Sequence, residues 1–227
     1  MLQKFYTTKL FYNKYIYKLS VRNELAPIFR GKNLSYVKTK IDEMQSAAEA
    51  NIPIEWPGRS YRRHAKTVTL EQFVDTAILY KFINENKKDC MLRIEGYTID
   101  IYSNERQWLK DLTKLVDAKG FYEPASVAQA EYLLENTDTE IIDGPVTWEY
   151  KVYFMDSVDP GFANFCRGNK DNIKIGKKAL AEVENNGYCR GFYFYVKSER
   201  HMMLASIASG NSFGRVVKYI SSQNLDK

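Results

Sequence analysis

The chain has 227 residues, 44% of them hydrophobic and 27% charged, with a net charge of +5; this is the composition of a folded domain protein, long enough to bury a core without disulfide or metal staples. No stretch approaches the roughly 20 apolar residues of a membrane span, and Lys9, Lys14 and Lys18 interrupt every apolar run that a secretory leader needs. The three cysteines, Cys90, Cys166 and Cys189, form no Cys-x-x-Cys pair, which points to a reducing compartment: the cytoplasm, or the host cytoplasm if the chain is viral.

The charge is uneven. Residues 1–40 carry seven Lys and two Arg against Glu24 alone, a net of +8, which leaves −3 for the rest of the chain. That asymmetry predicts a localised basic surface.

From Tyr15 onward, Tyr15, Tyr17, Leu19 and Val21 alternate with Lys14, Lys18, Ser20 and Arg22, with Ile16 out of step. This is the period of a strand with one buried side. Residues 5–12 are expected to pair back on it as a hairpin, turning at Asn13-Lys14. Val37, Ile41, Met44 and Ala48 predict a helix over 35–50 capped by Ser35. Two prolines and a glycine break the pattern in "NIPIEWPGRS". A second helix follows, with Thr69 and Gln72 forming a capping box. Two strands, 90–96 and 97–103, meet at Gly96. A long helix over 104–120 is expected to start at Asn104 and end at Gly120. Beyond it come a short helix over 126–136, a strand over 146–156 and a helix over 172–187. The last elements are a strand over 191–198, a helix over 199–209 and a strand over 214–221.

Two segments echo each other. "YKLSVRNELAPIFRG" and "YKVYFMDSVDPGFANFCRG" each open a strand with Tyr-Lys and then reach a proline, a phenylalanine and Arg-Gly. The expected fold class is therefore α+β: two small mixed sheets packed by helices, as an internal duplication of a ferredoxin-like, split β-α-β unit. The expected boundaries are an N-terminal half over 1–122 with a basic insert near 51–88, a connecting helix and linker over 123–146, and a C-terminal half over 147–227.

Basic residues interleaved with aromatics can neutralise phosphates and stack bases together. Three patches qualify. The first is Tyr12, Lys14, Lys18, Arg22, Arg30 and Lys32. The second, after a Pro-Gly turn, is Arg59, Tyr61, Arg62, Arg63 and Lys66, with His64 among them. The third is Arg167, Lys170, Lys174, Lys177 and Lys178. Each patch alone also reads as solvated surface. Together they make nucleic acid, single-stranded or structured, the expected partner. The Lys, Asn, Ile and Tyr bias is that of an AT-rich coding sequence and fits a phage or other viral origin.

Two further readings stand beside it. Asp143, Glu149 and Lys151 form a D…E-x-K pattern of the kind Mg²⁺-dependent nucleases use, with carboxylates on the metal and the lysine on the water. A tyrosine-rich surface also suits a non-catalytic interaction or virion assembly protein with a protein partner. Only two histidines are present, and no phosphate-binding glycine loop or dinucleotide fingerprint appears. No cofactor and no resident metal is expected.

Overall fold

Two five-stranded sheets organise the chain, and residues 2–31, 33–56, 66–86 and 89–225 are described in the computed structural model. The first compact unit comprises residues 1–7 and 15–124; the second comprises 8–14 and 125–227.

In the first unit, β1 (Gln3–Tyr6), β2 (Tyr17–Arg22), β5 (Cys90–Glu95), β6 (Thr98–Ser103) and β7 (Ala118–Glu123) lie in the order β1-β7-β2-β6-β5. Strands β1 and β7 run parallel; every other neighbouring pair is antiparallel. A small ribbon of β3 (Glu55–Trp56) and β4 (Lys66–Thr67) separates helices α1 (Leu34–Glu49) and α2 (Leu70–Asn86), and α3 (Arg106–Leu112) joins β6 to β7. The helices join β2 to β5, and β6 slots between those two strands. That is the split β-α-β arrangement.

The apolar spacing explains which face the helices cover. Val37, Ile41 and Met44 of α1, Phe73, Leu79 and Ile83 of α2, and Trp108, Leu109 and Leu112 of α3 share one core with Leu19, Val21, Leu92, Ile99, Ile101 and Phe121. Residues that alternate with those strand positions stand on the other face. Asn23 ties the sheet to α2: its Nδ2 donates to Thr76 Oγ1 at 3.1 Å, and its Oδ1 accepts from the Leu25 amide at 2.8 Å. The Thr69–Gln72 capping box forms as expected, with reciprocal bonds of 3.1 and 3.2 Å.

The second unit repeats the strand order. Strands β8 (Thr139–Ile142), β9 (Tyr150–Phe154), β10 (Ile173–Ile175), β11 (Tyr193–Val196) and β12 (Phe213–Ser221) lie as β10-β11-β9-β12-β8. Again the first and last strands are parallel and the rest antiparallel. Helix α4 (Val127–Glu135) precedes β8; α5 (Gly161–Gly168), α6 (Lys177–Glu184) and α7 (Glu199–Ala208) connect the others. Phe162 sits at the centre of the core, within 6.0 Å of the rings of Phe154, Phe165, Phe194 and Phe213. Thr8–Lys14 is bound into this unit: Ile141 donates its amide to Thr8 O at 2.7 Å, and Arg215, Asp138 and Asn13 are joined by mutual hydrogen bonds.

Several expectations are corrected. The N-terminal hairpin is absent, because β1 pairs parallel with β7 instead of folding back on β2. A turn does form nearby: Lys14 N donates to Phe11 O, and Tyr12 and Asn13 hold φ of 55° and 54°. The α1 cap is Asn33, whose side chain accepts from the Tyr36 amide. The long helix over 104–120 stops at Leu112, and Gly120 lies inside β7. A Cβ on Gly120 would stand 3.0 Å from the Phe5 ring and 3.2 Å from the Tyr122 ring, so the bare backbone there admits the two rings. The helix over 172–187 divides into β10 and α6 at Gly176, and β8 lies in a stretch expected to be linker.

Candidate nucleic-acid interface

On β9, Val152 and Phe154 point into the core, so Lys151 and Tyr153 point away from it. On β11 the same alternation sends Phe194 and Val196 inward and leaves Tyr193 and Tyr195 outside. The register sets Tyr153 opposite Tyr193 and Lys151 opposite Tyr195. Tyr219 of β12 joins from the other side, and Lys174 of the edge strand β10 pairs with Tyr195. The face of this sheet turned away from that core thus gathers tyrosines around a lysine, with the buried Val217 opposite Lys151.

The rings form a chain. Tyr153 and Tyr193 lie 5.6 Å apart, Tyr193 and Tyr195 5.5 Å, and Tyr195 and Tyr219 6.2 Å. Lys151 Nζ sits 3.9 Å from the Tyr193 ring centre and 4.9 Å from that of Tyr153. Among the described residues no carboxylate approaches this ammonium within ion-pair distance. Burial lowers the Lys151 pKa, but the hydrogen bond to Tyr153 and the neighbouring phenols of Tyr219 and Tyr195 outweigh it, and the net shift is upward. Burial, then the nearby Glu140, pushes the Tyr219 phenol up to about 12, and burial also raises Tyr195. At neutral pH Tyr195 and Tyr219 therefore stay uncharged beside the Lys151 ammonium, with Lys174 opposite Tyr195 and Glu140 opposite Tyr219 at the two edges. Tyr193 is 39% exposed, enough to offer its ring.

The residues of the first patch do not assemble comparably. Lys18 is half-buried between Asp100 Oδ2, at 3.7 Å, and the Tyr122 ring, at 3.8 Å. Ser20 Oγ donates to the same carboxylate at 2.5 Å. Arg22 pairs with Glu24 at 3.5 Å. Arg30 is exposed after the 3-10 turn Ala26–Phe29. Tyr12 and Lys14 are exposed in the turn that belongs to the second unit. Of the second patch, Arg59, Tyr61, Arg62, Arg63 and His64 lie outside the described residues, as does Lys32 of the first; Lys66 opens β4.

The third patch divides. Arg167 is held by Glu184 and Asn164. Lys170, Lys177 and Lys178 are exposed around α5 and α6. Only Lys174 stands on the tyrosine face. Asp143 and Glu149 are exposed in the segment around the start of β9, and Lys151 rests on tyrosine rings. No group of three or more acidic, histidine or cysteine side chains suited to a metal occurs among the described residues.

Sequence reasoning missed Tyr153, Tyr193, Tyr195 and Tyr219 as site residues. "YKVYF" and "FYFYV" carry aromatics on both faces, so their alternation does not say which ring is core. The signal was the lysine in "YKVYF": a cation at one parity marks that parity as the outer face. Among the described residues no helix is long and apolar enough to cross a membrane. Comparison with protein families, curated proteins and solved structures found no match to this chain.

Proposed function

We propose that the chain binds single-stranded nucleic acid on the tyrosine-bearing face of its second sheet. The observation that carries this reading is the set of tyrosines on β9, β11 and β12 around Lys151. Four-stranded sheets recognise RNA in this way, stacking two or three splayed bases on aromatic side chains. Every base has a ring face, so such stacking tolerates sequence and requires unpaired bases. The second unit holds 14 Lys and Arg against 13 Asp and Glu. Long-range attraction for phosphate is therefore weak, and stacking must supply most of the affinity. A cytoplasmic, reducing setting and a phage or viral origin belong to this proposal; Cys90, Cys166 and Cys189 are all free thiols.

Fluorescence anisotropy with labelled single- and double-stranded oligonucleotides, followed by a gel of the products, tests the reading. Binding of the single strand in preference to the duplex, with the strand recovered intact, is expected. Equal binding of both, or none at low salt, would overturn it.

A further inference from the structure

Lys151 has a counterpart. Both β2 and β9 open with Tyr-Lys, and both occupy the middle of a sheet of the same strand order. The registers match as well: Lys18 stands opposite Tyr102, and Lys151 stands opposite Tyr195. Two residues further along, Ser20 faces Asp100, whereas Tyr153 faces Tyr193. The position that holds an acid in the first sheet thus holds a tyrosine in the second.

The consequence for the two ammonium groups is large. Lys18 and Asp100 have side chains only 15% and 13% exposed, and a buried pair of this kind is costly to separate. Lys151 is held by ring faces, an attraction of about 0.5–1 kcal/mol where solvent reaches it, and by its hydrogen bond to Tyr153. A base stacking on Tyr193 would meet a ring that the ammonium already contacts. The ammonium would then turn to a phosphate of the same strand; among the described residues no carboxylate stands within ion-pair distance of it.

Building on the stacking function above, we infer that Lys151 is the phosphate contact of the tyrosine face, and that Lys18, at the matching position, contacts no phosphate because Asp100 holds it. Each neutralised phosphate on a single strand adds about 0.7 to the steepness with which log affinity falls against log salt. Lys151→Met should therefore lower that slope by about 0.7, Lys151→Arg should keep it, and Lys18→Met should leave it unchanged.

The measurement is anisotropy of fluorescein-labelled oligouridylate and oligothymidylate of about ten nucleotides, titrated from about 50 to 200 mM KCl, with far-UV circular dichroism of each variant. A slope retained in Lys151→Met while binding persists would overturn the assignment and leave the stacking function standing. An equal fall in Lys18→Met would overturn it too. Failure of the unsubstituted chain to bind either probe would remove the function beneath it, and the assignment with it. Should Lys151→Met lose its folded spectrum, Lys151→Gln and the Arg variant decide the same question.

Discussion

On β2 the lysine after the opening tyrosine meets Asp100, and on β9 the matching lysine meets Tyr193, although strand order, strand direction and register around the two are the same. Two differences in residue type, Ser20 against Tyr153 and Asp100 against Tyr193, change what each ammonium meets. In the first sheet, Lys18, Asp100 and Ser20 close on one another, and Tyr102 is nearly inaccessible. In the second, the charge rests on the rings of Tyr153 and Tyr193, the latter 39% exposed. The lesson is that a shared sheet does not confer a shared site; the site depends on which side chains occupy the outward positions of the central strands.

The comparison can be broken at several points. The largest expected effect comes from beneath the tyrosine face. Phe162→Ala removes the ring at the centre of the second core and should cost about 3–5 kcal/mol of stability. Because that core holds β9 and β11 in register, oligonucleotide binding should fall with it; denaturant unfolding beside anisotropy would show both. Next is the contrast between the lysines' surroundings. Asp100→Asn leaves Lys18 half-buried without its counter-ion and should cost about 2 kcal/mol in denaturant melts. Lys151→Met, which leaves no carboxylate unpaired and keeps an apolar stem against the rings of Tyr153 and Tyr193, should cost less, about 1 kcal/mol or below. Equal costs would show that the two environments are not distinct.

Binding sharpens the contrast. Loss of one stacked base contact is worth about 1–3 kcal/mol, so Tyr193→Ala should weaken binding about 5- to 150-fold while Tyr193→Phe retains most of it. Phe5→Ala, on the outward face of the first sheet, should change it less than about twofold, since surface positions away from a site contribute little. A competition titration with one labelled probe compares all three.

The smallest effect is one of pH. The Tyr219 phenol is raised to about 12 from an unfolded value near 10. Its stabilising contribution is complete below about pH 10 and is lost as pH rises towards 12, because above 10 the unfolded chain ionises first. Thermal melts across that window should fall, and Tyr219→Phe should flatten the fall.

Much of the architecture is legible in the residues. Period-2 alternation in "YKLSVR" and the i, i+4, i+7 spacing of Val37, Ile41 and Met44 identify their elements and buried sides. The Tyr-Lys echo identifies two strands that occupy equivalent places. Other elements leave weaker marks. β7 reads "AKGFYE", with a glycine that suggests a helix end but in fact makes room for the Phe5 and Tyr122 rings. β8 has four residues and is stabilised by parallel pairing to β12, with Thr139 opposite Lys218, so no local pattern announces it. The parallel placement of β1 is likewise a long-range choice. For the site, charge density drew attention to residues 1–40, yet Lys18 and Arg22 there are engaged by Asp100 and Glu24. The tyrosines came together only through the pairing of β9 with β11, which a linear scan for basic patches does not see.

Ultraviolet cross-linking to oligouridylate, with the attached peptides identified by mass spectrometry, tests the central claim most directly. Adducts on peptides carrying Tyr153 and on those carrying Tyr193 and Tyr195, lost in the presence of excess unlabelled strand, are the predicted result. Adducts confined to residues 1–40, or none on β9 and β11, would contradict it.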